Sequence, residues 1–177
     1  MSYLLILLFA VAGVGAFNPD TTQLEQLDIG MEAPSCYAYF LNGGDFFLSR
    51  YVGPKARFHL KGPIALSFFT TSCIPCRKEI PYLHTLQENY PDIKVFLVNV
   101  GEEPELISNY IKSMGYTLPV LLDRYGKISE KYFAKVTPTL VTINTDGKIG
   151  FYKQGYSETD NKAIKQAFER LIAPAKH

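Results

Sequence analysis

Cys73 and Cys76 stand two residues apart in TTSCIPCRKEIP, residues 70–81, where an apolar run gives way to a charged, helix-forming one. A C-x-x-C pair can be a redox dithiol, half of a metal site, or the anchor of a c-type haem. Haem attachment requires His directly after the second cysteine, and Arg77 stands there. Zinc asks for four ligands, and the chain has no second C-x-x-C. His84 would lie about 12 Å beyond Cys76 along a helix axis, at a rise of about 1.5 Å per residue. His59 belongs to another segment and reads as a surface residue. The redox dithiol therefore leads, with a redox-inert docking or metal-binding module as the alternative. A peroxidase site built on Thr70 and Cys73 is weaker, because Leu66 stands where the peroxiredoxin pattern has Pro.

The elements that must position the pair are legible around it. Residues 64–69, IALSFF, form an almost continuous apolar run, as expected of a strand buried on both faces. The stretch PCRKEIPYLHTLQENY reads as a helix, and IKVFLVNV as a second buried strand, which together make a right-handed βαβ unit with a parallel pair. The pair thus falls between a strand end and a helix start, where unsatisfied N–H groups and the dipole favour an anion. Cys73 is expected to be the more acidic, attacking thiol, and Cys76, one turn on, the resolving one. Pro75 suits the first turn, where its missing N–H costs little.

Further along, Leu106, Ile107, Tyr110, Ile111 and Met114 recur at helical spacing between Pro104 and Gly115. LPVLLD is a short strand and GKISEKYF a short helix. TPTLVTINTDGKIGFYKQGY reads as two strands joined at Thr145, Asp146 and Gly147. A last helix from about Glu158 to Ile172 is expected to bury Ile164, Phe168, Leu171 and Ile172. Upstream, GGDFFLSRYVG suggests a turn and an edge strand.

The 177 residues, 47% hydrophobic with 12 Phe and 12 Tyr, suffice for one ordinary domain. A net charge of +1, from 18 basic and 17 acidic residues without a basic block, argues against a nucleic-acid partner. Residues 1–16 carry no charge and end in small residues, so they read as a signal peptide cleaved after Ala16 or a short membrane anchor. A buried amino-terminal helix is the lesser alternative, and no Cys follows that could carry a lipid. Residues 17–29 read as a connector and 30–174 as the domain, placed outside the cytoplasm. Three cysteines in an exported chain leave one thiol over, and spacing nominates Cys73 and Cys76 as the disulfide. Cys36 reads as a small buried hydrophobe, with a resolving or sensing role as the minority reading.

Together GMEAPS, SFFTTSCIPCRKEIPYL, FLVNVGEE, VTPTLVTINTDGKI and the Gly155-Tyr156 pair resemble the extracytoplasmic thioredoxin-like thiol-disulfide oxidoreductases of the TlpA/ResA family, from about Gly30 to the last helix. The resemblance implies an α/β thioredoxin fold, a central mixed sheet flanked by helices, with a family-type helix-strand insertion at about Gly101 to Tyr125. It implies a cis-proline at Pro138 facing the dithiol, with the Thr137 backbone binding an extended substrate segment. A strand-start proline is the plainer reading of Pro138. Glu79 resembles an active-site acid influencing the thiols, and a solvated helix acid is the even alternative. Glu102 resembles a supporting acid, Ser67 stands where cytoplasmic thioredoxin carries a buried Asp, and Pro81 resembles the helix-kinking proline.

Ser72 departs from the family, which has Trp directly before the first cysteine; this chain has no Trp. Partner preference at Ser72 is therefore the property that transfers least. The resemblance implies partner proteins with thiols or disulfides, apocytochrome c before haem attachment among them. It also implies a membrane thiol-disulfide reductant as electron donor; a monomer with no cofactor or metal is expected, though the sequence itself does not set the oligomeric state.

Overall fold

Six consecutive side chains of strand β3 (Ile64–Phe69) are buried, and they divide by parity between two cores. Ile64, Leu66 and Phe68 face one side of the sheet; Ala65 and Phe69 face the other, with Ser67 between them in register. This two-sided burial is why the sequence reads there as an unbroken apolar run. Each fully buried large apolar side chain contributes roughly 1.5–3 kcal/mol.

The computed structural model describes residues 26–173. The leader or anchor expected at 1–16, and most of the connector, lie outside the described residues. Leu27, in the connector's last part, is buried against the core. Among the described residues no helix is long and apolar enough to cross a membrane.

Around β3 run β1 (Tyr37–Phe40), β2 (Asp45–Phe47), β4 (Lys94–Val100), β5 (Val120–Asp123), β6 (Thr139–Ile143) and β7 (Ile149–Gln154). Their order in one sheet is β2-β1-β5-β4-β3-β6-β7. The pairs β3–β4 and β4–β5 are parallel, and the pairs β1–β2, β1–β5, β3–β6 and β6–β7 are antiparallel. This is the central mixed sheet expected of a thioredoxin fold. The helices are α1 (Cys76–Asn89), α2 (Pro104–Met114), α3 (Lys127–Lys131) and α4 (Asn161–Ile172). α1, α2 and α4 share the core that contains Phe69 and Leu140, while α3 packs on the opposite core with Phe68 and Val141.

The expected insertion is α2 and β5, and β5 fits between β1 and β4. Gly115 closes α2 at φ 67°, ψ 25°, a left-handed cap that a side chain would strain, and its N–H reaches back to Ile111 and Lys112 carbonyls. Pro104 sits in the first turn. Of the five α2 residues at helical spacing only Ile107 is fully buried, and Leu106 and Met114 are exposed. The β6–β7 turn forms at Thr145 to Gly147, and Asn144 Oδ1 accepts the N–H groups of Asp146 and Lys148.

Three sequence expectations change. The segment Tyr37–Phe40 is a strand the sequence reading did not assign. The last helix is preceded by a 3-10 turn at Glu158–Asp160, so α4 starts at Asn161. Ile172, expected in the core, is 46% exposed, because it is the last residue of α4 and the helix ends past the edge of its core; Leu171 is half-buried.

Candidate functional site

The loop between β3 and α1 carries the two cysteines. Its turn is closed by the Cys73 N–H donating to the Thr70 carbonyl at 3.2 Å. α1 starts at Cys76, with Pro75 as its N-cap, so Cys73 lies just ahead of the helix. Cys73 Sγ nevertheless accepts the N–H of Cys76 at 3.2 Å. The first helical N–H thus points at Cys73 Sγ, as expected for a sulfur placed at a helix start. Cys73 and Cys76 are joined in a disulfide with a Cα–Cα distance of 5.4 Å. Cys76 is completely buried, whereas Cys73 retains 9% exposure.

Glu79 lies one turn beyond Cys76 and is 1% exposed, which overturns the solvated-acid reading. Its Oε2 accepts a 2.6 Å hydrogen bond from Ser67 Oγ in the middle of β3. Burial pushes the Glu79 carboxyl up to about 7 from an ordinary 4.5; the Ser67 hydrogen bond and Lys153 pull it down, and Asp160 pushes it up. An acid balanced there can hold or release a proton at neutral pH.

Glu102 does more than open a helix. Its carboxylate accepts the Thr71 N–H at 2.8 Å, the Thr71 hydroxyl at 2.7 Å and the Asn99 side-chain amide at 2.6 Å. The end of β4 thus holds the residue two positions before Cys73. Thr71 and Asn99 were not singled out in the sequence, since residues 31 apart come together only because β3 and β4 are parallel neighbours ending at the same edge. Glu103, not Glu102, is the N-cap of α2.

The Thr137–Pro138 peptide is cis, and Pro138 directly precedes β6. The β3–β6 register pairs Phe68 with Thr139, so Pro138 enters β6 at the strand end from which the Cys73 loop leaves. Pro138 is buried, Thr137 half-buried, and Ser72 exposed. Pro81 lies inside α1. Beside Glu102, a cavity of about 380 Å³ is lined by Tyr37, Tyr39, Leu122 and Tyr125.

Cys36 is on the other core from the dithiol, buried beside Tyr132, and burial pushes its thiol up to about 12. A buried thiol held protonated in this way is a poor nucleophile. His84 faces Thr117, with its ring nitrogens 3.4 Å from the Thr117 N–H and hydroxyl, and His59 is exposed. Leu66 is buried in mid-strand.

The family model described as Redoxin matches residues 57–168. The chain belongs to the Redoxin family. Within this family its curated relatives are thiol-disulfide oxidoreductases. The ResA protein of Bacillus subtilis (strain 168) is 30% identical over 148 residues, covering 82% of this chain and 78% of that protein. The ResA protein of Geobacillus thermodenitrificans (strain NG80-2) is 29% identical over 170 residues, covering 95% and 92%. A crystal structure from Chlorobium tepidum, described as a thiol:disulfide interchange protein DsbE, superposes with a TM-score of 0.74 at 23% identity. It covers 84% of this chain and 100% of that one, and at that identity it shows the fold alone. This Redoxin-family protein is accordingly a thioredoxin-fold thiol-disulfide oxidoreductase of the TlpA/ResA type, and its C-x-x-C pair is a redox dithiol.

Proposed function

We propose that the protein works outside the cytoplasm as a reductant of disulfides in partner proteins, with Cys73 attacking, Cys76 resolving and Glu79 handling the proton of Cys76. The observation that carries the role assignment is the asymmetry of the pair. Cys73 is the more accessible residue and its Sγ accepts the N–H of Cys76, while Cys76 is sealed one turn ahead of a buried acid.

In the reduced protein, the Cys73 thiolate attacks one sulfur of the partner's disulfide, forming a mixed disulfide and releasing the partner's other sulfur as a thiolate. Cys76, having given its proton to the Glu79 carboxylate, then attacks Cys73 Sγ. The Cys73–Cys76 disulfide forms and the partner leaves with its second thiolate. Glu79 returns the proton to the leaving sulfur or to solvent. Two electrons pass to the partner in each cycle; the one proton released by Cys76 travels through Glu79, and the partner's remaining thiolate takes its proton from solvent. A thiol-disulfide reductant of the membrane restores the dithiol.

The partner segment lies extended along the Thr137 backbone beside Pro138. Ile74 is 73% exposed and Val136 50% exposed, one on each of the two loops at this end of the sheet. They offer apolar contact to the partner where the family's ring is replaced by the exposed Ser72. Glu102 supports the loop through Thr71.

Residues 1–16 act as signal peptide or anchor, 17–29 as connector and 30–174 as the catalytic domain, a monomer. The family resemblance supports apocytochrome c thiols, kept reduced before haem attachment, as the substrate class. The deciding experiment is trapping. Cys76→Ala in the full-length chain accumulates a covalent complex that reducing agent dissolves, and Cys73→Ala does not. Recovery of an apocytochrome in that complex supports the cytochrome reading, and recovery of unrelated disulfide proteins alone overturns it in favour of a general reductase.

A further inference from the structure

Ser67, Leu140 and Lys153 form one cross-strand row through β3, β6 and β7, with the Lys153 side chain on the same sheet face as Ser67. Glu79 reaches that row from α1 through its bond to Ser67. At the outer end of the row, Lys153 Nζ lies 3.3 Å from Asp160 Oδ1, and the two side chains are 32% and 21% exposed. Asp160 is held in place by its 3-10 turn, where Oδ2 accepts the Ser157 N–H at 2.8 Å. The turn is tied to α1 by the Lys78–Glu158 ion pair at 2.9 Å, one residue from Glu79. Tyr82 and Tyr156 close the same junction, donating to Asn161 O and Oδ1. The titratable groups facing Glu79 are thus Lys153 from β7, Tyr156 after it, and Asp160 from the turn.

We propose that the Lys153–Asp160 ion pair is a positioning element for Glu79: paired, the two charges offset one another and leave the buried carboxyl free to gain and lose its proton during the dithiol cycle. Lys153 alone at the end of the row would bias Glu79 toward the carboxylate, and Asp160 alone would bias it toward the protonated acid. Net neutrality at a partly screened pair keeps the acid in its working range. Neither residue touches the sulfurs, so the effect on the reaction passes through Glu79. The inference therefore rests on the proton role given to Glu79 above.

The test is direct titration of the Glu79 carboxyl by carbon-13 NMR in the full-length disulfide form, alongside the pH profile of disulfide exchange in the same variants. Lys153→Gln is expected to raise the carboxyl midpoint and Asp160→Asn to lower it, each by about half a pH unit. The double variant returns close to wild type, and Lys153→Arg behaves as wild type. Ser157→Ala removes the hydroxyl that donates to Asp160 Oδ2 at 3.2 Å while keeping the backbone bond and both charges, so it separates structural loosening from charge and should leave the midpoint in place. Shifts in the same direction, or no shift in either single variant, overturn the inference. Opposite shifts of the carboxyl with an unmoved rate profile uphold the ion pair's control of Glu79 and overturn the proton role of Glu79 itself.

Discussion

Ser67 Oγ donates to Glu79 Oε2 at 2.6 Å across the interface between β3 and α1, with both residues sealed from solvent. The bond joins the middle of a fully buried strand to the helix that starts at Cys76. Among the described residues it is the one side-chain donor to Glu79.

That acid makes stability depend on pH. Native Glu79 keeps its proton up to about 7, whereas the unfolded chain releases it near 4.5. Between these values the folded state binds more protons, so its stabilising effect is complete below the lower pH and is lost as pH rises through the upper one. The difference is worth about 3 kcal/mol. Glu79→Gln should flatten this fall. Urea unfolding of both disulfide forms at about pH 4, 6 and 8 measures it, and parallel curves for the two proteins would sink the idea.

Ser67→Ala removes the donor while leaving the burial. The cost should be largest above neutrality, where an ionised buried carboxylate is left without a partner, at roughly 1–3 kcal/mol. At acidic pH the protonated acid loses only an ordinary hydrogen bond. Denaturation of this variant across the same range checks the trend; an equal loss at every pH contradicts it.

Glu102→Ala frees Thr71 from two hydrogen bonds and leaves the Asn99 amide unpartnered. The loop before Cys73 should open locally, with Thr71 amide exchange faster by about tenfold or more. Glu102→Gln should be intermediate, since an amide oxygen replaces only part of the carboxylate's accepting capacity. Unchanged exchange at Thr71 would show that the turn is held by its Cys73–Thr70 bond without Glu102.

In the reduced protein Cys73 should titrate below the free-thiol value of about 8.5 and be alkylated faster than Cys76 at neutral pH. Peptide mapping after brief exposure to iodoacetamide reads the order. Equal labelling would remove the physical basis for the attacking and resolving roles.

The core of the site was open to reading because its elements advertise themselves. Residues 64–69 and 94–100 are apolar on both faces, and helical spacing starts directly after the cysteines. Resemblance, not spacing, marked Pro138, Glu79 and Glu102. What stayed hidden were the partnerships. Nothing in one dimension pairs Ser67 with Glu79 or Thr71 with Glu102, because those bonds exist only once β3 has a helix over it and β4 beside it. β1 escaped because two of its four residues, Tyr37 and Tyr39, point outward, so YAYF carries no buried run. Ile172 misled for the opposite reason: its spacing is right, but the helix outlasts the core beneath it.

Cys36 sits under the sheet on the side away from Cys73 and Cys76. A layer of strands therefore insulates the odd thiol from the working pair. With Cys73 attacking as proposed, a stalled mixed disulfide would have a single internal exit, through Cys76, and a molecule that loses Cys76 would have no spare sulfur to free itself. On that reading one electron pair is carried at a time, and Cys36 is kept out of the exchange by the sheet.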